Sequence, residues 1–313
     1  GYTINKVCAS GMKAVTLGAS AIASGEADIV VAGGMENMSA APFLLHKARW
    51  GYRLGNDELL DSLLSDALQD PVDNCHMGTT TERLACEFGI SRREQDEFAA
   101  WSQRKAAAAL NQGSFVRETV AVKVPQRTGE RLEFAVDEFP RPNTTVEVLS
   151  QLRPVFQQDG SITAGNASGI NDGAAAMVLL SAEAARERGV LPQARIVSYA
   201  AAGVQPERMG IGPVPATREA LRKAGLTLGD LDAIELNEAF AAQCLAVMRQ
   251  LEMDPERVNL NGGAIALGHP VGASGARILV TLIHIMARRQ LHLGLATLCV
   301  GGGQGMAVVL ERA

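Results

Sequence analysis

Asn5-Lys6-Val7-Cys8-Ala9-Ser10-Gly11-Met12-Lys13-Ala14, near the start of the chain, has a second version near its end. That version lies in Asn261-Gly262-Gly263-Ala264-Ile265-Ala266-Leu267-Gly268-His269-Pro270-Val271-Gly272-Ala273-Ser274-Gly275-Ala276-Arg277. Ala9–Lys13 matches Ala273–Arg277, and each string opens an apolar helix. Each helix leads to an apolar strand that ends in a glycine pair, Gly33-Gly34 after Ala32 and Gly301-Gly302 after Val300. The separation is similar in both copies, from Gly11 to Gly33 and from Gly275 to Gly301. A helix–strand unit repeated at the two ends predicts duplicated α/β halves packed against each other. In this alignment Cys8 falls opposite Gly272, so only the first copy carries a thiol at its helix start.

Met12, Val15, Ala19 and Ile22 recur at helical spacing, which predicts Cys8 in the first turn of a small-residue helix. Unpaired N–H groups and the positive end of the helix dipole there favour the thiolate, the nucleophilic form. A lone cysteine at such a place is more often a small packing residue. Two further signals turn the reading toward catalysis. His269 stands between Gly268 and Pro270 just ahead of a helix, with its backbone direction restricted on both sides. Cys299 ends an apolar strand and runs into Val300-Gly301-Gly302-Gly303-Gln304-Gly305. This run lacks GxGxxG spacing and is followed by the apolar Met306–Leu310, a strand where a phosphate loop would need a helix. A tight strand–turn–strand corner instead leaves backbone N–H donors beside Cys299, as an oxyanion hole requires.

Other candidates are weaker. Asn237, in Asn237-Glu238-Ala239-Phe240-Ala241, follows the strand-like Ala233–Leu236 and opens a helix, either as its N-cap or as a site residue. Cys75 and His76 are neighbours whose side chains diverge, which argues against a shared metal. Cys86, Cys244, His46, His284 and His292 read as core or surface residues.

Length and composition bound the rest. The chain has 313 residues, 47% hydrophobic and 20% charged, which suits a soluble protein with a large core and about two domains. Aromatic residues make up only 4%, so the core must rest on small side chains and close backbone contacts. A net charge of -5 without a Lys/Arg block argues against nucleic acid or an anionic membrane as partner. No apolar run reaches spanning length free of glycine or charge, and no signal peptide is visible at Gly1-Tyr2-Thr3. Five scattered cysteines without a CxxC pair predict a reducing, cytoplasmic setting with neither a disulfide framework nor a zinc site.

The texture changes along the chain. Residues 1–38 give the Cys8 helix, ended near Gly25, and the strand Ala27–Ala32. Residues 39–164 are irregular, hold most of the aromatics, and contain one clear helix from Ser91 to about Asn111, opened by a Ser91/Glu94 capping box. Residues 165–313 return to α/β alternation. Strands are predicted at Ala174–Leu180, Ala194–Ala200, Ala233–Leu236, Val258–Leu260 and Leu295–Cys299. Helices are predicted at Ala182–Arg188, Ala216–Ala224 and Ala239–Leu251. This divides the chain into a first half (1–38 plus 165–181), an inserted loop domain (39–164) and a second half (182–313).

Taken together, Asn5–Val15, Ala32–Met38, Ala164–Ala176, Asn237–Ala241, Gly268–Arg277 and Cys299–Gly305 resemble the thiolase family, in order and through nearly the whole chain. The resemblance implies a duplicated αβαβα five-layer core, a loop domain over the active site, and coenzyme A thioesters as substrates with no metal or other cofactor. It further implies that Cys8 accepts the acyl group, that His269 activates it, and that Cys299 moves the α-proton of the second thioester. Asn237 would hold a water that, with His269, stabilises the enolate, and the N–H groups of Cys8 and Gly301 would bind the oxyanion. Condensing synthases share the fold but pair their cysteine differently; a second cysteine, here Cys299, is the thiolase mark. His76-Met77 matches the short-chain biosynthetic branch. Ser168 matches a pantetheine contact, Met209 a wall of the short acyl pocket, and Phe240 lies in the Asn237 motif. Arg141 matches a residue near the nucleotide, although Pro142-Asn143 follows it in place of the usual His-Gly.

The activity so implied is that of an acetyl-CoA C-acetyltransferase, the reversible condensation of two acetyl-CoA to acetoacetyl-CoA and CoA through acetyl-Cys8. The alternatives are a 3-oxoacyl-CoA thiolase of broader chain length and a non-catalytic thiolase-like binding protein. The Ser39–Asp73 stretch resembles the family's tetramerisation loop, which implies a homotetramer. The family also carries strands and helices ahead of its nucleophile, so a preceding segment is expected in the natural protein.

Overall fold

A computed structural model describes residues 1–127 and 129–313. Helix α1 (Ser10–Ala23) follows a 3-10 turn at Val7–Ala9 and leads into strand β1 (Ile29–Asn37). The intervening segment carries two short hairpins, β2 (Phe43–Leu44) with β3 (Leu60–Asp61) and β4 (Val122–Pro125) with β5 (Arg131–Phe134). Between them lie α2 (Met77–Glu87) and α3 (Arg92–Asn111), and α4 (Val146–Ser150) follows. Strand β6 (Asp172–Leu180) returns antiparallel to β1, and α5 (Ala182–Glu187) closes that half. The second half runs β7 (Ala194–Gly203), α6 (Pro213–Ala224), β8 (Ala233–Leu236), α7 (Ala241–Leu251), α8 (Ala264–Leu267), α9 (Val271–Arg289), β9 (Leu293–Val300) and β10 (Gln304–Arg312).

The strands of the second half form one sheet in the order β7-β10-β9-β8, with β8 parallel to β9 and the other pairs antiparallel. Its central strands are buried on both faces, and the period-2 pattern divides their side chains between two cores. Leu295, Ala307 and Val309 pack into one with Leu221 of α6 and Val247 of α7. Ala296, Leu298, Met306 and Val308 pack into the other with Met12 of α1 and Ile278 and Leu282 of α9. Helices α1 and α9 therefore form the middle layer, between the β1–β6 pair and the four-stranded sheet. Burying each of these large side chains contributes about 1.5–3 kcal/mol. The outer face of the β1–β6 pair is open, with Val31, Met35 and Val178 exposed.

The two copies of the repeat meet at their glycines. A Cβ on Gly11 would lie 2.8 Å from the Ala276 nitrogen and 3.2 Å from the Gly272 oxygen. One on Gly275 would lie 2.6 Å from the Met12 nitrogen. The glycine pair of the first copy serves the same contact, since a Cβ on Gly34 would lie 2.1 Å from the Gly272 oxygen. Backbones approach here to a distance no side chain permits.

Several expectations shift in detail. The first strand is Ile29–Asn37, beginning two residues later than expected and running through Gly33-Gly34. Val258–Leu260 is no strand: only Val258 bridges to Ile234. Asn259 adopts a left-handed backbone, and its side-chain amide pairs both ways with the Leu236 backbone at 2.8 Å. A side chain there replaces the strand that apolar periodicity suggests. Helix α9 is long and apolar enough to cross a membrane by length and composition. It is instead the buried middle-layer helix, which explains its apolarity. The capping box at Ser91 is present, with α3 ending at Asn111 as expected.

Replacing Gly275 with alanine separates two influences. Helix propensity alone would stabilise the chain by about 1 kcal/mol. The contact with α1 predicts a loss of about 1–3 kcal/mol instead, read as a lower urea midpoint of G275A. A raised midpoint would contradict the close crossing.

Candidate active site

The crossing brings the start of α1 and the start of α9 to the turn between β9 and β10. Cys8 is buried in the 3-10 turn ahead of α1. Val7 holds a left-handed backbone, φ 47°, and Asn5 Oδ1 accepts from its N–H at 2.8 Å, so this turn is shaped before the helix begins. The Cys8 thiol faces its own N–H and that of Gly301, both of which stabilise the thiolate. Burial acts in the opposite direction and is the larger effect, with a smaller push from the Glu36 carboxylate. The thiol is pushed up to about 11. This corrects the expectation drawn from the helix start: the N–H donors are present, but desolvation outweighs them and the resting Cys8 is a thiol.

His269 is also buried, and loss of solvent together with the Arg277 charge pulls it down to about 4. Its tautomer follows from Ser274, a residue the sequence reading did not single out. The Ser274 hydroxyl donates to the Pro270 oxygen at 2.9 Å, and its Oγ lies 2.5 Å from His269 Nδ1. With the hydroxyl proton directed to Pro270, Oγ is the acceptor for Nδ1–H, and this tautomer is the one assigned to His269. Nε2 is then the unprotonated nitrogen, 3.5 Å from Asn237 Nδ2.

Asn237 does not cap α7. Phe240 occupies the N-cap position, and the helix begins at Ala241. Asn237 is fully buried at the end of β8, with its Oδ1 unpartnered among the described residues. Its backbone oxygen accepts from the Cys244 thiol at 3.6 Å. Cys244 is thus a core residue in contact with the site residue Asn237.

Cys299 stands at the end of β9 on the face opposite Leu298 and Val300, packed with Met77, Met209, Ala239, Phe240 and Ile162. Burial raises its thiol far above the ordinary range, and the Cys8 charge adds to the effect. Gly301 follows in the turn, where a Cβ would lie 2.1 Å from the Met77 methyl carbon. Met77, Met209 and Phe240 thereby join Cys299 in one apolar cluster.

His76 caps α2, and its Nδ1 accepts from the Gly78 N–H at 2.9 Å, which leaves the proton on Nε2. Its ring stacks on Phe156 at 4.5 Å, and Phe156 meets Phe240 edge-on at 6.1 Å. Phe156 was not legible as a site residue because it lies in an irregular stretch with no periodicity around it. Ser168 donates from both N and Oγ to the Ala239 oxygen at 3.0 Å, tying its loop to the Asn237 motif. Arg141 is not brought to this cluster. It is exposed, held by its backbone N–H to Gln103 Oε1. Among the described residues no group of three His, Cys, Asp or Glu side chains could hold a metal ion.

Two cysteine thiols, an imidazole whose Nε2 meets Asn237, and N–H donors facing one thiol form a candidate site for acyl transfer. The sequence matches the description "Thiolase, N-terminal domain" over residues 1–183 and "Thiolase, C-terminal domain" over residues 190–312. The chain belongs to the thiolase family. An acetyl-CoA acetyltransferase of Pseudomonas aeruginosa is 59% identical over 99% of this chain and 79% of its own length. The crystal structure of the Bacillus anthracis acetyl-CoA acetyltransferase superposes with a TM-score of 0.97 at 48% identity, covering all of this chain and 79% of that one. Human mitochondrial 3-ketoacyl-CoA thiolase superposes with a TM-score of 0.96 at 45% identity, covering 99% of this chain and 78% of that one.

Because the buried imidazole takes up a proton at about pH 4 and an unfolded one at about 6.5, unfolding binds a proton between these values. The stability that His269 contributes is complete above pH 6.5 and is lost as pH falls toward 4, by about 3 kcal/mol in all. Urea midpoints across this window should fall more steeply for the native chain than for H269N. Parallel curves would place the imidazole in contact with solvent.

Proposed function

We propose that the chain is an acetyl-CoA C-acetyltransferase that interconverts two acetyl-CoA with acetoacetyl-CoA and CoA through an acetyl-Cys8 intermediate. The observation that carries this reading is the Cys8 thiol facing the Gly301 and Cys8 N–H groups, with His269 and Cys299 completing the site. The names of the relatives at 59% and 48% identity support the same activity.

The resting pair is neutral: a thiol pushed up to about 11 and an imidazole pulled down to about 4 do not exchange a proton spontaneously. Attack on a thioester carbonyl changes this balance. As Cys8 Sγ bonds to the carbonyl carbon, its proton passes to His269 Nε2 and the negative charge moves to the carbonyl oxygen. The Cys8 and Gly301 N–H groups then hold that oxygen, so their stabilisation is realised in the transition state. Collapse expels the first thiolate as leaving group and leaves acetyl-Cys8. The departing CoA thiolate takes the Cys299 proton, and in synthesis the Cys299 thiolate so formed takes the α-proton of the second acetyl-CoA. The enolate oxygen lies toward His269 and a water held by Asn237; the carbanion attacks acetyl-Cys8, the Cys8–acyl bond breaks, and the Cys8 thiolate takes back its proton from His269. In cleavage the same thiol returns the proton. A Cys299 that stays protonated at neutral pH suits that acid role.

His76, with its Nε2–H donor, and Ser168 are assigned to the pantetheine arm. Met77, Met209 and Phe240 are assigned to the acyl pocket, whose bulk beside Cys299 favours a short acyl group. Arg141 is assigned to the nucleotide end, away from the chemistry. The division into 1–38 plus 165–181, 39–164 and 182–313 is retained, supported by the pairing of β1 with β6 across the intervening segment. Five free cysteines support a reducing, cytoplasmic location.

Incubation with acyl-CoA and 3-oxoacyl-CoA of increasing chain length tests the activity. Mass spectrometry should find acylation on Cys8, absent in C8A, with rates highest for the four-carbon 3-oxoacyl substrate. Labelling at another residue would refute the mechanism, and a maximum well beyond four carbons would favour the broader 3-oxoacyl-CoA thiolase.

A homotetramer is the proposed assembly, supported by the exposed Phe43, Trp50, Leu54 and Leu59 around the β2–β3 hairpin. Light scattering should give four times the chain mass. A monomer at micromolar concentration would exclude this assembly.

A further inference from the structure

The β9–β10 turn must place one N–H, that of Gly301, against Cys8, yet it is built of three glycines that offer no side chain to anchor it. Gly302 and Gly303 both have φ +80°, and glycine ranges freely over this region. The other polar groups of the turn are tied at its flanks. The Gly303 oxygen accepts from Val204 N–H at 2.7 Å, and the Gly301 oxygen accepts from Gln304 Nε2 at 3.3 Å. At its centre the Gly302 N–H, one residue from the catalytic donor, donates to Asp70 Oδ2 at 3.1 Å.

Asp70 comes from the intervening segment, 232 residues away in sequence, and is fully buried. Its other oxygen, Oδ1, accepts from the N–H groups of Val72 and Asp73 at 2.9 and 3.2 Å. Its backbone pairs with Cys75, and Asn74 pairs with it, at 2.8 and 2.9 Å. The carboxylate therefore closes the turn that delivers His76 and Met77, and Met77 lies against Gly301. A buried carboxylate that accepts three N–H groups is an expensive feature unless each bond is made, and here each is.

We propose that Asp70 is a positioning residue, holding the Gly301–Gly303 turn so that the Gly301 N–H is aimed at Cys8. It acts through the backbone and touches neither substrate nor nucleophile. The consequence for turnover rests on the thiolase activity proposed above, whereas its effect on the Cys8 thiol does not.

Asp70→Asn makes the test selective. The amide keeps one oxygen for the Val72 and Asp73 N–H groups, but presents NH2 to Gly302. D70S, whose hydroxyl supports the local turn but does not reach Gly302, is the second variant if D70N fails to fold. In a variant with a native-like melting transition, kcat for acetoacetyl-CoA cleavage should fall about 10–100-fold, with KM within threefold. Alkylation of Cys8 by iodoacetamide at pH 8, followed by mass spectrometry without substrate, should slow several-fold, because the Gly301 N–H stabilises the thiolate. Unchanged alkylation, or a rise in KM alone, overturns the proposal. Should the native chain prove inactive on acetoacetyl-CoA, the activity reading falls and the alkylation rates alone decide the role of Asp70.

Discussion

The contact of α1 with α9 through Gly11 and Gly275 is the constraint from which the rest of the molecule follows. Two helices in the middle layer touch backbone to backbone, with Ala276 and Met12 each packed against the other copy's glycine. Any larger residue at the crossing would push the helices apart and move their N-terminal ends with them. Cys8 lies just ahead of one helix and His269 just ahead of the other, so the spacing of thiol and imidazole is set by the absence of two Cβ atoms. The Gly34 contact with the Gly272 oxygen extends the same rule to β1. A chain with few aromatics and much alanine and glycine is what such close layers require.

Depth has an electrostatic consequence. The N–H groups of Cys8 and Gly301 face the Cys8 thiol, yet taking the thiol out of water outweighs them, and the same desolvation keeps His269 neutral. Arg277, the counterpart of Lys13 in the repeat, adds to the pull on His269 and lies 3.6 Å from the buried Glu235, which is itself pushed up to about 8. The site thus holds both groups uncharged at rest, as the proposed mechanism requires. An open site with the same residues would ionise Cys8 more readily and gain less when the transition state forms.

Polar side chains that act on neighbours rather than on substrate complete the arrangement. Ser274 sets the tautomer of His269, Asn259 substitutes for a strand beside Leu236, and Asp70 ties a loop from the intervening segment to the β9–β10 turn. None of the three belongs to a periodic pattern or a motif rich in chemically reactive residues. Ser274 lies within the Gly268–Arg277 stretch, where its hydroxyl carries no local signal. Asp70 and Asn259 are ordinary loop residues until the fold brings their partners close.

The sequence by itself determined the family, the α/β fold and most strands and helices, and it singled out Cys8, Asn237, His269 and Cys299 as candidates. It could do so because apolar periodicity, glycine pairs and reactive residues within short motifs are local signals. Tertiary structure alone decided that Cys8 rests as a thiol, that Asn237 faces the imidazole and leaves the helix uncapped, and that Phe156 stacks on His76. It alone placed Arg141 away from the cluster and Asp70 against the β9–β10 turn. Each of these depends on burial or on a partner tens to hundreds of residues distant. Solvent exclusion and long-range hydrogen bonds are properties of the packed chain, and no stretch of sequence carries them.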